Sequence, residues 1–364
     1  MNCNNNHDID NTDHTHRHNY LQQPTIPTNV EDKSIAQLTD DMLLTGFQGR
    51  RLAEAIECWA GMLKEDGLTI FMGLSGAMVP AGMRRIISYL IEHRLIDCLV
   101  STGANIFHDC HEALGKKHYV GSHTANDCAL FEKGVDRIYD VFAVEDEFHD
   151  VEMFIGDFAK TIDEGRTYSS REFLNLLGEH ILEKGGAHDS IIVSAFRNNI
   201  PIFIPALCDS SIGIGLTFAR RQGCNLVIDQ IKDVDEITQI VEETGRTGVI
   251  YFGGGVPKNF IQQTEIVAGF LGAEVTGHDW AIQFTTDAPH WGGLSGCTFE
   301  EAVSWGKIGE TAKKVQVFVD STIAFPIVSH SLHEKTKGLM RNVPVYDWSG
   351  DRVKITHESR CINK

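Results

Sequence analysis

The run Val249-Ile-Tyr-Phe-Gly-Gly-Gly255 is four apolar residues stopped by three glycines. It reads as a strand buried on both faces that ends in a tight turn. The same pattern recurs along the chain. Leu68–Met72 runs into Gly73-Leu-Ser-Gly76, Ile96–Val100 into Ser101-Thr-Gly-Ala-Asn105, and Ile200–Leu207 into Cys208-Asp209. Leu226–Ile228 precedes Asp229, Ala281–Thr285 precedes Thr286-Asp287, and Val315–Val319 precedes Asp320. Between these runs, Ala81–His93 and Val234–Glu243 carry apolar residues at helical spacing. Short, nearly continuous apolar strands alternating with helices predict an α/β fold around a parallel sheet.

Small, hydroxyl and carboxylate residues gather just after the predicted strands. In open α/β sheets, ligands bind beyond the carboxyl ends of the strands, near the point where strand order reverses. Ser75, Thr102, Asp209, Gly253–Gly255, Thr286 and Asp320 would line one such edge. No strict Gly-x-Gly-x-x-Gly follows the first strand, so a nucleotide site rests on several strand ends together.

The 364 residues allow one large domain or two modest ones, and 42% hydrophobic content is enough for a substantial core. No run of 18 apolar residues predicts a membrane span. The polar N-terminus lacks a signal-peptide apolar region. Nine cysteines are dispersed without a Cys-x-x-Cys pair, which suggests reduced thiols in a cytoplasmic enzyme. The net charge of −18 disfavours a nucleic-acid partner and suits a polyamine or a basic protein, or solubility alone. Residues 1–30 lack apolar periodicity and read as a disordered arm; His14, His16 and His18 alternate there without the rigid scaffold that metal ligands need.

Residues 300–308 read Glu-Glu-Ala-Val-Ser-Trp-Gly-Lys-Ile. Thr298 with Glu301 makes a Thr-x-x-Glu capping box that opens a helix, and Gly306 is a plausible stop. Lys307 then sits where the chain leaves the helix. An apolar setting beside Trp305 and Ile308 would disfavour its charge and leave a free amine able to attack a carbonyl or imine carbon.

This block, preceded by Leu-Ser-Gly and followed by Val-Gln-Val-Phe-Val-Asp, resembles the catalytic segment of the deoxyhypusine synthase family. Three other blocks resemble the same family: Gly253-Gly-Gly-Val-Pro-Lys258, Ile-Pro-Ile-Phe-Ile-Pro-Ala-Leu-Cys-Asp at 200–209, and Thr45-Gly46-Phe47-Gln48. The likeness spans roughly residues 40–335. It implies a Rossmann-like, doubly wound and mostly parallel sheet flanked by helices. It also implies a single large NAD-binding catalytic domain over 31–340, followed by a C-terminal tail over 341–364. The implied activity is NAD-dependent transfer of the aminobutyl group of spermidine, through a lysine imine, by a cytoplasmic homotetramer without a metal.

By that resemblance Lys307 matches the imine-forming lysine. Glu301 and Trp305 match substrate-binding positions. Thr102, Gly103, Asp209, Gly253, Gly255, Thr286, Ser295 and Asp320 match positions that contact NAD. Departures are equally specific. Asn259 stands where the family commonly has a histidine, Gln263 replaces an asparagine, Ile214 and Leu294 replace aspartates, and His108 replaces a glutamate. His108 is expected near the substrate, doing acid–base work, although His-Asp-Cys-His at 108–111 also has the look of a metal-ligand cluster. The expected acceptor is a lysine of the hypusine-bearing translation factor. The alternatives are putrescine, giving homospermidine, and a non-catalytic NAD-binding scaffold.

Overall fold

The computed structural model describes residues 21–363. The alternating histidines and most of the expected arm lie outside the described residues; 21–30 are exposed and have no helix or strand. Six parallel strands form the central sheet: β1 (Thr69–Leu74), β2 (Cys98–Ser101), β3 (Ile202–Phe203), β4 (Thr247–Phe252), β5 (His278–Thr285) and β6 (Ile308–Phe318). Their order across the sheet is β6-β5-β4-β1-β2-β3. Winding runs outward from β1 in one direction, returns, and runs outward from β4 in the other. This is the doubly wound arrangement, with its switch point between β1 and β4.

Why these strands are apolar throughout follows from the two cores. Ile70, Met72 and Leu74 enter one core with Leu99, Ile250, Phe252, Ile282 and Phe284. Phe71 enters the other with Cys98, Val100, Val249, Tyr251 and Ala281. Successive side chains leave a strand on opposite faces, so burial of both faces makes the strands mostly apolar, with polar exceptions such as Thr69, Thr247 and Gln283. Each fully buried aliphatic side chain contributes roughly 1.5–3 kcal/mol. Helices Phe47–Met62, Arg84–Glu92, α1 (Gly103–Ala113) and α4 (Ser321–Lys335) cover the first face. Helices Gln230–Thr244, α2 (Gly255–Phe270) and α3 (Phe299–Ser304) cover the second.

Three expectations change. Of Leu226–Ile228 only Val227–Ile228 is a strand, and it pairs with Thr167–Tyr168 outside the central sheet. Asp229 therefore caps Gln230–Thr244 instead of lining the sheet edge. The helix expected over Ala81–His93 is broken: Val79–Met83 is a π-helical turn, Gly82 adopts φ 86°, and a regular helix begins only at Arg84. Finally, the segment expected as a tail forms an antiparallel hairpin, Met340–Asp347 with Lys354–Cys361. Its Arg341 guanidinium donates to both carboxylate oxygens of buried Asp97, at 2.9 and 2.5 Å, and the Tyr346 hydroxyl donates to the Asp97 carbonyl. Asp97 in turn accepts from the Ile70 N–H at the foot of β1. The hairpin thus anchors to the base of the sheet, opposite the carboxyl edge.

Candidate active site

The carboxyl edge is one continuous hydrogen-bonded line. The Thr102 N–H donates to the Leu74 carbonyl, Ser75 to Phe252, Gly253 to Phe284 and Val319 to Thr285. At the switch point the backbones approach too closely for side chains. Gly253 has φ 81°, and a Cβ there would lie 2.9 Å from the Ser75 Cβ. A Cβ on Gly254 would lie 2.5 Å from the Ser295 Cα. The Ser75 hydroxyl donates to the Gly254 carbonyl, and the Gly255 N–H donates to Ser295 Oγ at 2.9 Å. The first turn of α2 begins here, so the positive end of the helix dipole faces the turn; the Gly255 N–H is taken by Ser295 and Pro257 has none, which leaves the Val256 N–H.

A polar girdle fixes this turn to the loop before α3. Gln283 Nε2 donates to the carbonyls of Gly253 and Ser295, at 2.9 and 2.8 Å. Lys258 Nζ donates to Gln283 Oε1 at 2.9 Å and to the Cys297 carbonyl at 2.7 Å. Gln316 Nε2 donates to the same Gln283 oxygen. Lys258 is 0% exposed. Burial lowers its pKa to about 8, aided by the Lys307 charge and opposed by Cys297 and Glu301. The sequence reading missed Lys258 as a site residue. Its available signal was helical spacing: three residues after Gly255, it faces the sheet.

Elsewhere on the edge, Thr102 caps α1 and donates from Oγ1 to the Gly76 carbonyl at 2.7 Å. Gly103 is required, because a Cβ would lie 2.3 Å from Ser210 Oγ. Asp320 caps α4, accepting from the Thr322 N–H and hydroxyl, which hold its carboxyl below the usual range. Gln48, from the Thr45–Gln48 block, accepts from the Phe318 N–H beside it. Asp209 and Thr286 are exposed at the ends of β3 and β5.

Lys307 enters from a helical face instead of a strand end. Thr298 accepts from the Glu301 N–H at 3.1 Å, which is the first half of the expected capping box. Gly306 adopts φ 71°; its N–H donates to Val303, and the Lys307 N–H donates to Ala302. This paired C-terminal closure needs the left-handed residue at Gly306. The Lys307 carbonyl accepts from the His278 N–H of β5. With its backbone held on both sides, Lys307 directs Nζ to Asn259 Oδ1 of α2 at 3.0 Å, and Nζ lies 5.4 Å from the Trp305 ring centroid. The structure therefore joins Lys307, Trp305 and the divergent Asn259. Beside Asn259 a cavity of about 210 Å³ is lined by Val256, Phe260, Gln263 and Leu294. Trp305 is 64% exposed and Lys307 half-buried, so the apolar enclosure expected around the lysine is only partly built.

His108 departs from its expected place. It is 8% exposed and packs with His111, His118 and Phe148 in the interior. Its Nδ1 shares a 3.0 Å hydrogen bond with His118 Nε2, and His118 Nδ1 meets Glu112 at 2.8 Å. Burial, then the neighbouring histidines, lowers its pKa to about 3. The reason is helical phase: on α1 its ring turns inward to Phe148. Among the described residues no group of three or more His, Cys, Asp or Glu side chains is arranged to hold a metal.

A sequence model of the deoxyhypusine synthase family matches residues 37–332. The chain belongs to this family. It is 67% identical over 335 residues to "Probable deoxyhypusine synthase 2" of Methanosarcina mazei, covering 92% of this chain and 97% of the relative. It is 56% identical to the protein of the same name from Archaeoglobus fulgidus, covering 80% and 95%. It is 37% identical to "Deoxyhypusine synthase-like protein" of Chlorobaculum parvum, covering 87% and 91%. A solved Entamoeba histolytica structure described as a "putative deoxyhypusine synthase" superposes with a TM-score of 0.58 at 18% identity, over 84% of this chain and 96% of that one. That likeness concerns the fold. Deoxyhypusine synthases are transferases, and membership places the chain among them. No described helix is long and apolar enough to cross a membrane.

Proposed function

We propose that this protein transfers the aminobutyl group of spermidine through an imine on Lys307, with NAD as cofactor and a protein lysine as acceptor. The observation that carries the reading is Lys307 itself, locked at its backbone and aimed by Asn259 toward the helix that begins at the glycine turn. The residues suit the dinucleotide. Gly253–Gly255 leave no room for a Cβ at 253 or 254 and bring the backbone and the positive end of a 16-residue helix close to where a pyrophosphate would lie. Asp209 and Asp320 follow β3 and β6, the two outer strands of the sheet. Five strand spacings, about 24 Å, separate those two strands, and an extended dinucleotide can lie along the edge between them. Thr102, Gly103, Thr286 and Ser295 stand between them. Bound there, NAD supplies the chemistry of accepting a hydride from the carbon beside an amine and returning it.

The chain's own groups do the rest. Lys307 Nζ attacks the substrate carbon once it is oxidised to the imine level, and its new carbon–nitrogen bond replaces the bond to the aminopropyl nitrogen, which leaves as 1,3-diaminopropane; the acceptor amine then displaces Lys307 in the same way before the hydride is returned. The Asn259 carbonyl accepts one Lys307 N–H and so orients its lone pair, but an amide cannot take up the proton as a histidine would. Glu301, in the first turn of α3, provides negative charge for an ammonium end, and the Trp305 ring flanks the aliphatic chain. The exposed Trp305 and Trp291 favour closure of the site by a second copy in a homotetramer.

The test is to incubate the protein with NAD, spermidine and either the hypusine-bearing translation factor or putrescine, and to identify products by mass. Deoxyhypusine on the factor supports the reading. Homospermidine instead would identify the small-diamine enzyme. No diaminopropane release with either acceptor would refute aminobutyl transfer.

A further inference from the structure

We propose that the cavity between helix Arg84–Glu92 and α4 binds a small organic anion with an apolar body. It encloses about 350 Å³ and is lined by Arg85, Ile86, Tyr89, Ser329, His330 and His333. It lies toward the far end of α4 from the Asp320 cap, apart from the Lys307 wall.

Four observations define its chemistry. First, its wall is apolar where Ile86 and the Tyr89 ring line it, and that ring is held by stacking on His93 at 4.1 Å. Second, the lining carries hydrogen-bond donors and no carboxylate. Third, the Ser329 hydroxyl is buried, at 5% exposed, yet has no hydrogen-bond partner. A helical serine ordinarily bonds back to the preceding turn; this one is left to serve something in the cavity. A buried hydroxyl without a partner is costly, so a ligand oxygen accepting from it relieves that cost.

Fourth, Arg85 keeps donors in reserve. It is exposed and donates from Nε to Asp189 Oδ2 at 2.9 Å, a carboxylate shared with Arg84, which is itself held by Asp109 at 2.9 Å. The terminal nitrogens of Arg85 stay available to a second anion. His333 is fixed in place by a hydrogen bond. The Tyr89 hydroxyl donates to Asn363 Oδ1, which can only accept, so the Tyr89 oxygen accepts from His333 Nδ1–H at 2.6 Å. This bond fixes the His333 ring at the cavity wall. An apolar floor with an arginine and an unpartnered serine beside it suits an aromatic or branched carboxylate better than a cation or a bare inorganic ion.

The experiment uses the full-length protein in its native assembly, titrated calorimetrically with benzoate, its neutral analogue benzamide, and inorganic phosphate. Benzoate is expected to bind saturably, with benzamide and phosphate each roughly tenfold weaker. Arg85→Gln should weaken benzoate roughly tenfold and Ser329→Ala roughly threefold, both with unchanged thermal melts. The proposal is overturned if benzoate shows no saturable binding. It is equally overturned if benzamide or phosphate binds as well as benzoate, or if both variants bind benzoate like the parent protein.

Discussion

The carboxyl edge and the Lys307 wall are built to different degrees of completion. At the edge, backbone bonds across five strands, the Ser75–Gly254 and Gly255–Ser295 contacts and the Gln283 girdle fix every atom a dinucleotide would meet at the switch point. At the wall, the Lys307 backbone is equally fixed, but Trp305 stands mostly in solvent and the amine has one amide partner. A buried lysine lowered by desolvation does exist, and it is Lys258, in the girdle, where its role is to tie the glycine turn to Cys297. The lesson is a division of labour: backbone bonds and the Gln283 girdle shape the carboxyl edge, whereas the wall leaves Trp305 in solvent.

Disabling the wall alone gives the largest effect. Lys307→Arg keeps the charge and the fold but has no attackable free amine, so transfer should fall by at least about 10³-fold while dinucleotide titration stays unchanged. If Lys307→Arg lost dinucleotide affinity as well, the two regions would not be separable. The converse is Gly254→Ala. Its Cβ would sit 2.5 Å from the Ser295 Cα, with backbone on both sides. Overpacking of this kind costs about 1–3 kcal/mol. It should weaken dinucleotide binding about tenfold or more while leaving Lys307 open to reaction with an added aldehyde and borohydride.

Acid should act behind the edge, through the histidine cluster on α1. Folding lowers His108 to about 3 and His111 to about 4, chiefly by burial. The folded state then binds fewer protons than the unfolded chain. This contribution is intact above the unfolded value near 6.5 and is lost as pH falls toward 4 and then 3. Urea unfolding at pH 7 and pH 5 should differ by a few kcal/mol; a flat profile would mean the cluster is hydrated. Smallest is Asn259→Ala, which removes the hydrogen bond that orients Lys307 Nζ and should slow imine formation about tenfold without altering the melt.

Much of this molecule could be read before its structure, for a physical reason. Strands buried on both faces are nearly continuous in apolarity, so Val249–Phe252 and Leu68–Met72 announce themselves. The same signal misplaced Val227–Ile228, because apolarity reports burial and not pairing partners. Thr298 and Gly306 were legible because caps are local chemistry. Lys258 and His108 were not, since a buried lysine or histidine looks like an exposed one until helical phase and packing are known. The polar hairpin after Met340 was read as a tail because its anchor, Arg341 to Asp97, joins residues far apart in the chain.

Borohydride trapping tests the central claim most directly. The protein is incubated with NAD and spermidine, reduced, digested and mapped by mass. A four-carbon amine adduct on Lys307, absent without NAD and absent from Lys307→Arg, is the predicted result. An adduct on Lys258 instead, or none at saturating spermidine, would contradict the assignment of Lys307.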